Sequence, residues 1–156
     1  MADYDRMSPE FALVSALESI SVLTGRVNAL QPKKDVRPPF AFYISNTDDE
    51  EDALDGRTGL QRYTGTVHVV AGSFRGLQLL SARVRLAVQE LSGQTCETPE
   101  TETEDPRGSI LIESAKMTQS SPDLYETEVG YYRRMYTVQI DYQTEQIFED
   151  EEVIEV

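Results

Sequence analysis

Leu60-Gln61-Arg62-Tyr63-Thr64-Gly65-Thr66-Val67-His68-Val69-Val70-Ala71-Gly72-Ser73-Phe74 is an extended segment that runs almost directly into a helix. β-Branched and aromatic residues dominate it, and Tyr63, Val67 and Val69 fall on one face at period two, which predicts a strand. The period changes after Gly72. Phe74, Leu77, Leu80, Val84, Val88 and Leu91 recur at spacings of three and four, with Arg75, Gln78, Arg85 and Gln89 as the opposite stripe. The spacing predicts an amphipathic helix from Ser73 to about Leu91, stopped by Ser92-Gly93. Gly65, inside the strand, predicts a bulge or a close backbone approach.

Upstream, Ser8-Pro9-Glu10 supplies an N-cap, a proline at the first helical position and an acid in the first turn. Leu13, Ala16, Leu17, Ile20 and Leu23 would be the buried stripe of that helix, and Gly25 its terminator. Arg26 to Leu30 reads as a short strand closed by Pro32, and Phe40 to Ile44, after Pro38-Pro39, as a firmer one. Asn46 to Gly59 is an acidic loop that would join the Phe40 and Leu60 strands as antiparallel neighbours. Gln94 to Gly108, acidic and Thr-rich between prolines, reads as a flexible connector.

Ser109 to Met117 is a strand with Ile110 and Ile112 on one face and Leu111 on the other, and Ser120 to Asp123 turns the chain. The longest strand runs from Gly130 to Gln143: Tyr132, Tyr136, Val138, Ile140 and Tyr142 share one face, while Arg133, Met135, Thr137, Gln139 and Asp141 share the other. The expected fold is α/β, more narrowly an α+β two-layer sandwich. One mixed or antiparallel sheet of four to five strands would carry two helices on one face and leave the other open. Residues 1–7 would be an arm, 8–143 a single domain, and 144–156 an acidic tail in which Ile147, Phe148, Val153 and Ile154 stand out as apolar.

The formal net charge of -14 works against nucleic-acid binding, which needs a basic patch. Most of that charge sits in the runs Asp48 to Asp55, Glu97 to Asp105 and Glu145 to Glu155. Cys96 is the single cysteine, so neither an intrachain disulfide nor a multi-cysteine metal site is available. The N-terminus has no signal-peptide core and no apolar run reaches the roughly 20 residues of a membrane span, so a cytoplasmic origin is expected.

His68 is the sole histidine and reads as a partly exposed sheet residue. G-x-S-x-G, P-loop and G-x-G-x-x-G signatures are absent. A calcium loop centred on Gly56 fails, because Ala53 and Arg62 would fall where carboxylates are needed. No catalytic site, metal or cofactor is therefore expected. Tyr131-Tyr132-Arg133-Arg134-Met135-Tyr136 reads first as a strand with a Tyr face packed on a core and a solvated Arg face, and second as a subunit interface, since Tyr, Met and Arg are enriched at protein contacts.

The order of these strings resembles the tail-completion, or tail-terminator, family of long-tailed bacteriophages over roughly residues 8–143. The strings are Phe11 to Leu17, Leu23-Thr24-Gly25-Arg26-Val27, Pro38 to Tyr43, Val69-Val70-Ala71 leading into a helix with Ala82, Val84 and Leu86, and Tyr132 to Val138. The resemblance implies a structural virion protein, not an enzyme, assembled in the host cytoplasm and placed at the head–tail junction. It would form a ring, usually hexameric, that caps the tail-tube protein and offers a surface to the head–neck connector. DNA would pass through the lumen without specific binding, and no membrane is involved.

Such a ring needs head-to-tail contacts that close by rotation. Candidate contact residues are Arg62, Thr64, His68, Tyr131, Arg133, Arg134 and Met135, with Arg75 and Arg85 on the helix. Asp48, Asp49, Glu50, Glu51 and Asp52 are candidates for the lumen or rim, and Ile147, Phe148, Val153 and Ile154 for docking of the tail. The alternative from another class is a cytoplasmic, non-enzymatic adaptor that binds a basic partner through its acidic loops.

Overall fold

A computed structural model describes residues 9–46, 60–97 and 109–144. Among them the chain forms α1 (Pro9–Glu18), a 3-10 turn (Ser21–Leu23), β1 (Val27–Ala29), β2 (Phe40–Ser45), β3 (Leu60–Ala71), α2 (Phe74–Gln89), β4 (Thr95–Glu97), β5 (Ser109–Gln119), β6 (Leu124–Glu126) and β7 (Tyr131–Thr144). The strands build one 7-stranded sheet in the order β1-β2-β3-β7-β5-β4, with β6 also paired to β7. The β1–β2 pair is parallel and the other pairs are antiparallel.

This overturns the expected sandwich of four to five strands: the molecule is mostly sheet, and its two described helices are the minor part. Two of the additional strands have no hydrophobic signature. Thr95-Cys96-Glu97 lies inside the supposed connector and pairs with Ile110 at the sheet edge, and Leu124-Tyr125-Glu126 pairs with the start of β7. Both are three residues long, so backbone hydrogen bonds hold them rather than a buried face.

The centre of the sheet is the long antiparallel pair β3–β7, in register from Leu60↔Gln143 to Ala71↔Tyr132. On the other edge of β7, β5 covers Tyr136 to Thr144 and β6 covers Tyr131 to Arg133 in the same direction. β5, β6 and β7 are thus one long hairpin. Its turn ends at Gly130, whose φ of 76° is left-handed and whose N–H donates to Glu126 O at 2.7 Å.

The helices and one sheet face share a single core. Leu13 and Leu17 of α1, Leu77, Val84 and Val88 of α2, Val67 and Val69 of β3, Val138 and Ile140 of β7 and Ile112 of β5 are all completely buried in it. Burying each such side chain contributes ~1.5–3 kcal/mol. Ser73 caps α2: its Oγ accepts from the Gly76 N–H at 3.0 Å. Phe74, expected on the buried stripe, is 45% exposed, because it sits in the first turn beyond the edge of the core and meets Tyr132 at the surface. α1 ends at Glu18 rather than continuing to Gly25, and Ile20 and Leu23 reach the core through the 3-10 turn.

Gly65 is a close approach and not a bulge. The register Ser45↔Gly65↔Val138 is unbroken, and a Cβ there would lie 2.7 Å from the Tyr63 hydroxyl and 2.8 Å from the Ile44 carbonyl oxygen. The irregularity falls instead in β5, between Ile112 and Ser114. There the extra residue keeps Ile110, Ile112, Ala115 and Met117 all in the core, and Ser92 Oγ accepts from the Ala115 N–H at 2.9 Å.

Candidate interaction face

Side chains alternate along each strand, so the residues between the core positions line the sheet face opposite the helices. The register sets them in rows across β2, β3 and β7: Phe40, Val70 and Arg133; then Phe42, His68 and Met135; then Ile44, Thr66 and Thr137. Thr64 beside Gln139, and Arg62 beside Asp141, continue the face on β3 and β7. One end is therefore apolar and aromatic, and the other is built from threonine, glutamine and an ion pair.

At the apolar end Phe40, Phe42 and Val70 form a second buried cluster, with Val36 and Tyr131 packed against it. Tyr131 meets Phe40 edge-on at 6.4 Å. His68 is not the partly exposed residue the sequence suggests: it is 8% exposed and stacked on Phe42, with ring centroids 4.4 Å apart and planes 7° apart. The cause is cross-strand register, which sets Phe42 beside it. Burial lowers the imidazole pKa, and the nearby Arg133 guanidinium lowers it further, so the ring stays neutral at physiological pH.

His68 Nδ1 and Arg133 Nε are buried and have no hydrogen-bond partner among the described residues. Each such group costs ~1–3 kcal/mol until it is satisfied. Arg133 does pair through Nη2 with Glu126 at 3.0 Å. A cleft of about 210 Å3 beside this ion pair is lined by Pro32, Phe40, Phe42, Val70, Tyr131, Arg133 and Glu126.

The residues singled out from sequence divide between two sides of the molecule. Arg62, Thr64, His68, Tyr131, Arg133 and Met135 share this face. Arg62 Nε donates to Asp141 Oδ1 at 2.8 Å, and Thr64 Oγ1 accepts from Asn46 Nδ2 at 3.1 Å. Arg134 is elsewhere, paired in register with the core residue Val69. Both its Nε and its Nη2 donate to Asp123, at 2.7 and 2.8 Å, which fastens the Ser120–Asp123 step between β5 and β6. That pairing holds the Asp123 carboxyl below its ordinary pKa.

Arg75 and Arg85 are exposed on α2, across the core from the open face. Asp48, Asp49, Glu50, Glu51, Asp52, Ile147, Phe148, Val153 and Ile154 lie outside the described residues.

Sequence reading missed Phe40, Phe42 and Val70 as parts of this face. A signal existed in Phe40-Ala41-Phe42, where period two sends both rings to the side opposite Ala41, and Ala41 is in the main core. Among the described residues no group of three or more His, Cys, Asp or Glu side chains is placed to hold a metal ion. Burial raises the Cys96 thiol pKa, the opposite of what a reactive thiolate needs. Among the described residues no helix is long and apolar enough to cross a membrane.

No protein-family model matches the chain, and no curated protein matches it. Among solved structures it is similar to a chain of the "Virion of native gene transfer agent (GTA) particle", at 14% identity and a TM-score of 0.45, covering 84% of this chain and 91% of that one.

Proposed function

We propose that the chain is a non-enzymatic structural subunit of a tailed-phage-type virion. It acts as a tail terminator: a ring, most simply a hexamer, that caps the tail-tube protein at the head–tail junction and offers its upper surface to the neck connector. The observation that carries the reading is the sheet face opposite the helices. Its aromatic and apolar end contains two buried polar atoms without partners among the described residues, and its other end is built from threonine, glutamine and the Arg62–Asp141 ion pair.

The apolar end is closed over by its own residues, and the rows that reach the surface, Ile44 with Thr137 and Thr64 with Gln139, can supply one side of a subunit contact. At the edges β1 and β4 are only three residues long, but β4 covers no more than Ser109 to Leu111 of β5, so among the described residues the rest of β5 is a second surface open to pairing. A ring contact is heterologous, so this face would meet a different surface of the next copy. The element order quoted above from sequence supports the same reading.

The test introduces charge at surface positions of the face, outside both buried clusters. Ile44 is 36% exposed and Thr137 is exposed, and both stand in the third row of the face. Ile44→Lys with Thr137→Lys should leave the circular dichroism spectrum and melting temperature close to wild type. It should also abolish rings seen by light scattering and negative-stain microscopy, whether the wild-type ring forms alone or only on added tail tubes. Rings that persist in the variant, or a wild-type chain that stays monomeric with and without tubes, refute the proposal.

A further inference from the structure

Charge is segregated in this chain. Eleven basic residues and ten acidic residues lie in 9–46, 60–97 and 109–144, a net of +1, so against a total of -14 the rest of the sequence carries -15. Within the described body, α2 is the basic element. From Phe74 to Gln89 it holds Arg75, Arg83 and Arg85 and no acid, and among the described residues no carboxylate forms an ion pair with any of them. The same outer surface exposes Leu79 at 57% and Leu86 at 56%, seven positions apart and hence on one side of the helix. Leu79 and Arg83 also border an apolar cleft of about 300 Å3 completed by Val22, Pro39 and Leu80.

β7 delivers the chain to this surface. Phe74, at the start of α2, meets Tyr132 near the start of β7 at 6.1 Å. At the other end Gly93, just past α2, donates to Ile112 O at 2.7 Å, and Ile112 pairs with Tyr142. α2 and β7 therefore run side by side in the same direction, and Thr144 leaves the sheet next to the C-terminal end of the helix. The sequence that follows, Glu145 to Val156, contains six acids and no base, with the apolar pairs Ile147-Phe148 and Val153-Ile154.

Twelve residues reach up to ~40 Å when extended, enough for the ~15 Å step from the sheet layer round to the outer face of α2 and the ~17 Å return along it from Glu90 to Leu79. We propose that residues 145–156 dock on the outer face of α2 of their own chain. The carboxylates would lie against Arg75, Arg83 and Arg85, with Ile147-Phe148 covering Leu86 and Val153-Ile154 covering Leu79. A single exposed ion pair contributes little, so binding needs the apolar contacts and the attraction of the whole arginine cluster together, and reversing two of its three charges sets repulsion against them. The inference stands apart from the ring reading, because it concerns the helical side and not the open face.

The test uses the full-length 15N-labelled chain. Ile147→Ser with Phe148→Ser should shift the amide resonances of Leu79 to Gln89 and leave those of β3 and β7 in place. Arg83→Glu with Arg85→Glu should move the resonances of residues 145–156 to random-coil positions, and 0.5 M NaCl should move wild type part of the way. None of the four residues belongs to the described core, and an unchanged β-sheet spectrum verifies that the core is intact. α2 resonances that ignore the Ile147 and Phe148 changes overturn the proposal. Shifts that vanish on dilution overturn it too, because they assign the contact to the tail of a second copy.

Discussion

Gly65→Ala is the sharpest test of the β2–β3 packing. The added methyl would sit 2.8 Å from the Ile44 carbonyl oxygen and 2.7 Å from the Tyr63 hydroxyl, whereas ordinary contact starts at 3.4 Å. The strands must therefore part by about 0.6 Å at the pair Ser45↔Gly65, or Tyr63 must move. Tyr63 cannot move freely, since it is 9% exposed and its hydroxyl lies 2.8 Å from Ser45 Oγ. Overpacking of this kind costs ~1–3 kcal/mol, and the ~0.4–1 kcal/mol that alanine normally returns by stiffening the unfolded chain offsets part of it.

A net loss of about 1–2 kcal/mol in urea unfolding follows from these terms. Gly72→Ala, where the nearest atom to the new methyl is 4.0 Å away, should be neutral or slightly stabilising. Adding Tyr63→Phe to Gly65→Ala removes one of the two obstacles, so the pair should couple favourably by about 1 kcal/mol in a double-mutant cycle. The reasoning is refuted if Gly65→Ala is as harmless as Gly72→Ala, or if the two changes at 63 and 65 are simply additive.

Two further outcomes are expected. Burial pushes the Tyr63 phenol up to about 12, with the nearby Glu10 carboxylate adding to the rise and the Ser45 hydrogen bond opposing it. The folded state then holds this proton more tightly than the unfolded chain does. Its stabilising effect is complete below pH 10 and drains away between pH 10 and 12, by at most ~2–3 kcal/mol. Urea unfolding across that window should show an extra loss in wild type that Tyr63→Phe lacks, and equal slopes would contradict the assignment. Ser73→Ala removes the acceptor for the Gly76 N–H and should cost ~1 kcal/mol in thermal unfolding, with no change in oligomeric state.

What the sequence revealed follows from which forces leave a periodic trace. The strand-to-helix step at Gly72, the face of Tyr132, Tyr136, Val138 and Ile140, and the long β3 and β7 strands are driven by burial, and burial repeats at period two or 3.6. β4 and β6 are held by backbone pairing at positions chosen by their neighbours, and Thr95-Cys96-Glu97 looks like any acidic connector. The extra residue of β5 sits at Glu113, where nothing local marks it, while the glycine that invited a bulge instead admits a close approach.

His68 was misread for the same reason, because its burial is conferred by Phe42, a residue 26 positions earlier that only register brings alongside. The candidate face was half visible. Arg62, Thr64, His68, Tyr131, Arg133 and Met135 share it as their alternation requires, whereas Arg134 belongs to the opposite side and serves the β5–β6 step through Asp123.

The hairpin formed by β5, β6 and β7 also bears on how the chain reaches its folded state. Pairing across the Gly130 turn needs only a short loop to close and can zip outward, from Glu126↔Tyr131 toward Ile110↔Thr144. β3 then has to find the far edge of β7 across a separation that grows from Ala71↔Tyr132 to Leu60↔Gln143. Sequence separation thus predicts that the hairpin assembles early and that docking of β3 with α2 is the slower, non-local step, an order that φ-values measured on β5, β7 and β3 would check. Until that step is made, the edge of β7 that β3 will occupy is an open row of backbone donors and acceptors. This nascent edge is a place where chains folding side by side are exposed to pairing with one another.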